Sequence, residues 1–120
     1  MKDDVLKLFS QTFESEASIY SQAPGRLEIL GNHTDYNEGF VLSTAVDCFT
    51  FIALKEVSGE TCKVISPGIE KDVRTFSINE IGEKAESKDW VNYIKGTIKE
   101  FQKRGHKVPA FEAAILSTVP

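Results

Sequence analysis

The chain is short of positive charge. Its 120 residues hold 14 Lys and Arg against 18 Asp and Glu, a net charge of −4, and the cations are scattered along the sequence. Nucleic-acid binding needs clustered cations to neutralise phosphates, so that class is set aside. Cysteine is scarce too. Cys48 and Cys62 show no CxxC spacing and have no histidine beside them, which excludes the usual zinc-binding patterns. The expectation is two buried, reduced thiols and no metal site built from this chain. Long apolar runs are missing: the longest weakly polar stretch, Phe40 to Leu54, is broken by Ser43, Thr44, Asp47 and Thr50. A membrane-spanning helix needs about 20 apolar residues. The opening Met1-Lys2-Asp3-Asp4 does not begin a secretory signal, so a cytoplasmic protein is expected. Repeats, low-complexity tracts and linkers are absent, which leaves one domain over residues 1–120.

What is present suits a globular fold, with 41% hydrophobic and 27% charged residues. Val5, Leu6, Phe9 and Phe13 share one side at helical spacing, predicting a helix over Asp4–Phe13 with Asp3 as N-cap. Ser18 to Tyr20 reads as a short strand, Ser21 to Arg26 as a loop through Pro24-Gly25, and Leu27 to Leu30 as a strand. Gly31 to Gly39 is polar and loop-like. Phe40 to Lys55 is rich in β-branched and aromatic residues and reads as one bent strand or two short ones. Thr61–Ile65 and Val73–Ile78 are further strands, joined through Pro67-Gly68.

Trp90, Val91, Ile94, Ile98 and Phe101 predict a helix over Trp90–Lys103, capped by Ser87 and ended by Gly105 in the left-handed conformation. Phe111, Ala113, Ile115 and Val119 alternate along a final strand that stops at Pro120. The order gives an α+β fold with a mixed, mostly antiparallel sheet and both helices on one side. Leu27, Ile29, Val46, Ile52, Val64, Phe76, Ile94, Ile98, Phe101, Ile115 and Leu116 are the predicted core.

The segment Ala23-Pro-Gly-Arg-Leu-Glu-Ile-Leu-Gly-Asn-His-Thr-Asp-Tyr-Asn-Glu-Gly39 concentrates the chemistry. A strand is bracketed by two glycine-containing loops, with Arg26 at one end and His33, Asp35 and Tyr36 at the other. Sugar hydroxyls donate and accept at once, so carboxylate, amide and imidazole groups suit them. An arginine holds a carboxylate ionised or neutralises phosphate. The same residues also have plain readings: Arg26 as a surface ion pair, His33 and Asp35 as backbone caps, Asn37 to Gly39 as a tight turn.

The run Pro24-Gly-Arg26, Gly31, His33-Thr-Asp35-Tyr36-Asn37 and Gly39-Phe-Val-Leu42 resembles the galactokinase signature. Galactokinases are one branch of the small-molecule kinases that include homoserine, mevalonate and phosphomevalonate kinases, the GHMP kinases. Trp90-Val-Asn-Tyr93-Ile-Lys-Gly96 resembles the family's Trp-x-Asn-Tyr-x-x-Gly helix. Ile115-Leu-Ser-Thr-Val-Pro120 resembles the strand that leads into its Gly-rich phosphate loop. The resemblance runs through the whole chain but spans only the first third of a family member. It implies the N-terminal domain of a GHMP kinase, with the ribosomal protein S5 domain 2-like fold.

The resemblance implies an enzyme that, as a complete protein, transfers the γ-phosphate of ATP to the anomeric hydroxyl of galactose or a related sugar, with Mg²⁺. It implies that Arg26 pairs with a catalytic aspartate and steadies the transferring phosphate. It also implies sugar contacts from Asn32, His33, Asp35 and Tyr36, and a nucleotide-side position for Trp90, whose alternative is a core anchor. Two positions depart from the family: Glu28 stands where Asn is usual, and Asn32 where Glu is usual. An amide at 32 forfeits a charge-assisted hydrogen bond, which is stronger by roughly a factor of two. The identity of the sugar is therefore open, and a non-catalytic sugar-sensing relative is the alternative reading.

The chain has no Gly-rich loop opening a helix, the element that would cradle phosphates, and no counterpart of the family's catalytic aspartate. It is expected to be a fragment, inactive by itself, whose Phe111–Val119 strand and apolar sheet face are left exposed at the truncated side and invite self-association.

Overall fold

The computed structural model describes residues 1–31, 37–82 and 89–120. Helix α1 (Lys2–Phe13) is followed by strands β1 (Ile19–Leu30), β2 (Leu42–Glu56), β3 (Thr61–Ser66) and β4 (Glu70–Ser77). Helix α2 (Val91–Lys103) and strand β5 (Phe111–Ser117) complete the order. The strands form one sheet in the order β1-β2-β5-β3-β4. Its pairings are antiparallel except β3 with β5, which run parallel. The α+β class and the mixed sheet are as the sequence predicts.

The helices, however, lie on opposite faces, not on one side. Val5 and Phe9 of α1 pack with Phe51, Ala53, Ile65 and Ala114. Val91 and Ile98 of α2 pack with Cys62, Val64, Phe76, Phe111 and Ala113. Because side chains alternate along a strand, the neighbours Ala113 and Ala114, or Val64 and Ile65, point to different faces. The two clusters are two half-cores separated by the sheet. That is why β5 reads Phe-Glu-Ala-Ala-Ile-Leu with few polar residues: both of its faces are covered.

Several element boundaries move. Helix α1 begins at Lys2 with Met1 as N-cap, so Asp3 lies inside its first turn beside Asp4. There both carboxylates oppose the positive end of the helix dipole, and Asp4 also pairs with the N-terminal amine at 2.8 Å. Strand β1 is continuous through Pro24-Gly25, where a loop was predicted, with a shift of register between Pro24 and Arg26. It is an edge strand, where a proline lacking an N–H is tolerated. The predicted Ser87 cap of α2 lies outside the described residues. Gly105 does take the left-handed conformation, with φ 84°.

The core prediction holds in part. Val64, Phe76 and Ile98 are buried, while Val46, Ile52, Ile94, Ile115 and Leu116 are half-buried. Leu27, Ile29 and Phe101 are exposed, at 56%, 53% and 52%. Pairing explains the first two. Strand β5 faces β2 only from Thr50 to Glu56, so the outer part of the β1–β2 pair projects as a two-stranded arm beyond both helices. Phe101 lies off the buried Val91–Ile98 stripe of α2 and meets the His106 ring edge-on at 5.8 Å.

Phe9 is fully buried and Leu30 is 66% exposed. Phe9→Ala should therefore lower the unfolding free energy by about 3–5 kcal/mol, while Leu30→Ala should change it by less than about 0.5 kcal/mol. Denaturant melts of the two variants check this, and equal losses would contradict the layering.

Candidate functional site

The arm carries the candidate site. Leu30 at the end of β1 is paired with Leu42 at the start of β2, so the connection over residues 31–41 leaves and re-enters the sheet at adjacent points. Its two flanks turn in the left-handed region, Gly31 at φ 96° and Glu38 at φ 59°. Glycine reaches that region without steric cost, and its place directly after an apolar strand makes the chain turn there. Asn32, His33, Asp35 and Tyr36, the predicted sugar contacts, belong to this connection and lie outside the described residues.

Arg26 sits within β1, opposite Ala45 of β2, and is exposed. Four residues separate it from the strand end, about 13 Å at the usual rise per residue. It is therefore beside the connection along the strand and not at its mouth. None of the ion pairs found among the described residues involves Arg26.

The exit of β5 meets the arm next to this arginine. The Thr118 amide donates to the Phe49 carbonyl at 2.9 Å, and the Phe49 amide donates to Thr118 Oγ1 at 2.9 Å. One residue on, Val119 closes over Gly25. A Cβ placed on Gly25 would stand 3.1 Å from Val119 Cγ2 and 3.2 Å from Val46 Cγ2. Glycine at position 25 thus lets the β5 exit come down on β1 beside Arg26. Nothing in the sequence read alone joins residues 25 and 119.

Trp90 lies elsewhere, at the start of α2. Its ring is half-buried against the α2-side core, and its Nε1–H donates to Glu70 Oε2 at 3.1 Å. The same carboxylate oxygen accepts from Arg74 Nη1 at 2.9 Å. Arg74 Nη2 donates to Asp89 Oδ2, and Asp89 Oδ1 accepts from the Val91 amide at 3.1 Å. The arginine and the indole N–H hold the Glu70 carboxyl below its ordinary range. The Val91 amide, and then Arg74, do the same for Asp89. Sequence reading missed this cluster; the one available signal was Asp89 placed just before a helical stripe. The described residues contain no group of three or more His, Cys, Asp or Glu side chains placed to hold a metal ion. They also contain no helix long and apolar enough to cross a membrane.

Comparison with known proteins accords with this geometry. The galactokinase galactose-binding signature matches residues 7–56, a span that includes β1, the connection and β2. The fold superposes on Lactococcus lactis galactokinase complexed with galactose, with a TM-score of 0.76 and 26% identity over 96% of this chain and 30% of that one. Methanococcus jannaschii mevalonate kinase aligns with a TM-score of 0.67 and 18% identity, over 85% of this chain and 33% of that one. A D-glycero-D-manno-heptose 1-phosphate kinase from Bacteriodes thetaiotaomicron aligns with a TM-score of 0.60 and 15% identity, over 84% and 34%. The chain therefore carries the galactokinase sugar signature on the fold of the GHMP kinases, and it spans about a third of the length of the structures it matches.

Because Arg26 is exposed, Arg26→Ala should leave the unfolding free energy of the chain within about 0.5 kcal/mol of the original. A thermal or urea melt checks this. A loss above about 2 kcal/mol would give the arginine a structural role and remove the case for a chemical one.

Proposed function

We propose that the chain forms the sugar-holding part of a galactokinase-like enzyme. The complete protein would transfer the γ-phosphate of ATP to the anomeric hydroxyl of galactose or a related sugar. The observation that carries this reading is the coincidence of the galactose-binding signature with the arm on which Arg26 and the β5 exit meet. In this reading Asn32, His33, Asp35 and Tyr36 contact sugar hydroxyls. Arg26 stands between them and the place where, in galactokinases, the phosphate loop follows the last strand.

ATP and Mg²⁺ belong to the complete enzyme. The sequence shows no glycine-rich run ahead of a helical segment, the resemblance assigns none of these residues as the base aspartate, and the described residues offer no metal-binding group. What these residues do by themselves is bind and orient the sugar and place one positive charge near the reacting end. Electrostatic stabilisation of the transferring phosphoryl group is usually the largest catalytic term, and one guanidinium does not substitute for cradle, metal and base together. For Trp90, the hydrogen bond to Glu70 and the contact with the α2-side core favour the anchoring role over the nucleotide-side one.

A second reading, a non-catalytic sugar-sensing relative, is favoured by Asn32, which stands where galactokinases carry a glutamate. The two readings share the sugar site and differ in whether a working phosphate site accompanies it. Self-association belongs to the proposal as well, but not through the Phe111–Val119 strand, which lies as β5 between β2 and β3 with Phe111, Ala113 and Ala114 buried. The exposed apolar residues are on the arm, at Leu27, Ile29, Leu30 and Leu42, all more than half exposed, and apolar patches of that kind favour association.

Purified as the 120-residue chain and confirmed by mass, the protein should consume no ATP in the presence of galactose. Galactose-dependent ATP turnover by that chain would overturn the assignment. In a galactokinase-length protein carrying this sequence, Asp35→Ala should weaken galactose binding by about ten- to a hundredfold, the cost of one charge-assisted hydrogen bond. An unchanged affinity measured by calorimetry would remove Asp35 from the site.

A further inference from the structure

The polar cluster at the start of α2 joins two elements through one side chain. Arg74 on β4 sends one Nη to Glu70 on the same strand and the other to Asp89 at the start of α2. Each carboxylate has a second duty toward the helix. Glu70 accepts the Trp90 indole N–H, and Asp89 accepts the Val91 amide, one of the helix-end donors that have no partner within the helix. Tryptophan side chain, first helical amide and strand are thus tied through a single guanidinium fork.

Apolar contacts also attach α2, with Val91 and Ile98 in the core and Ile94 and Trp90 packed at its margin, and Lys95 Nζ lies over the Phe76 ring of β4, 5.7 Å from its centroid. The cluster is unevenly exposed. The Glu70 and Arg74 side chains are 37% and 34% accessible, whereas Asp89 is 9% accessible. An exposed ion pair contributes little to stability. A nearly buried carboxylate stripped of its cation is costly to leave in place. The Glu70 half of the fork is therefore the weaker half, and without the other half the Asp89 carboxylate would need water as its partner.

We propose that Glu70, Arg74, Asp89 and Trp90 form a latch that seats the first turn of α2 on β4 and can release that turn while the sheet stays folded. The hub is the fork of Arg74. Lysine offers one charged point and cannot hold two carboxylates from two elements in the same geometry. Among the described residues, the charged groups facing the cluster are Glu70 and Arg74 from β4, Asp89 before the helix, and Lys95 within it. Both carboxyls sit below their ordinary range, so the latch is closed at neutral pH. Its contribution is lost as pH falls through those depressed values, when the carboxylates take up protons and let go of Arg74.

Trp90 is the sole tryptophan, so its fluorescence reports the latch directly. In the 120-residue chain, Arg74→Met and Arg74→Lys should both raise acrylamide quenching of Trp90. Both should also speed hydrogen exchange of the Val91, Asn92 and Tyr93 amides by about tenfold, with the amides of β3 and β5 unchanged. Asp89→Asn keeps an acceptor for Val91 while weakening the hold on Arg74, and should move the same signals if Arg74→Met fails to fold. Acid should raise quenching in the original chain before its far-UV circular dichroism changes, and this separate step should vanish in Arg74→Met. The latch is overturned if Arg74→Met or Asp89→Asn quenches like the original, if Arg74→Lys fully preserves the original behaviour, or if helix and sheet amides accelerate together.

Discussion

Strand β2 is more than twice the length of its neighbour β5, and the arrangement of the molecule follows from that mismatch. From Thr50 to Leu54, β2 is paired on both sides, by β1 and by β5. Its side chains there pack against α1 on one face, as the buried Phe51 and Ala53 show, and against the α2-side core on the other, where Ile52 and Leu54 are partly buried. Outward of Thr50, β2 keeps β1 as its strand partner and continues as an arm. The inner half is the scaffold and the outer half presents the candidate site. A rigid sheet that extends into a less covered pair of strands is a common way to hold binding residues at a fixed place. The two-residue continuation of β5, where Thr118 bonds Phe49 and Val119 covers Gly25, brings the third strand onto the arm next to Arg26.

Much of this was legible in residue order. The strand and helix segments, the Gly105 stop and the mixed sheet follow from periodicity and capping chemistry. The galactokinase resemblance rests on the Pro24 to Leu42 run, and it is matched both by the sequence signature and by a galactokinase fold. The side of the sheet on which each helix sits was not legible, because an apolar stripe on a helix does not say which face of a two-faced sheet it covers. Strand β5 held the clue: Ala113 and Ala114 are both buried, which requires cover on both faces. The exposure of Leu27 and Ile29 was hidden for a related reason. Apolar alternation marks a face that is meant to be covered, but it does not show how far β5 and the helices reach along β2. Pro24-Gly25 misled in the other direction, since a proline and a glycine read as a loop unless the strand is known to lie at an edge.

The candidate site divides in the same way. Arg26 is placed by strand pairing, so its neighbours Gly25, Ala45 and Val119 could be found only in three dimensions. Asn32, His33, Asp35 and Tyr36 rest on the signature and on the closeness of the strand ends, Leu30 and Leu42, on either side of them. The Glu70–Arg74–Asp89–Trp90 cluster was invisible in sequence because Arg74 and Asp89 stand 15 positions apart, and only the packing of α2 over β4 joins them.

The central claim is that the arm is where this chain meets a sugar. Titrating the ¹⁵N-labelled chain with galactose and following amide shifts tests it most directly. The account predicts weak binding, with Kd around 1 mM or above, because the arm is exposed and water competes for each hydroxyl. Shifts should be confined to residues 25–46 and 118–119 and be lost in Asp35→Ala. Shifts centred on α2 or on the β3–β4 turn, or none at galactose concentrations far above 1 mM, would contradict it.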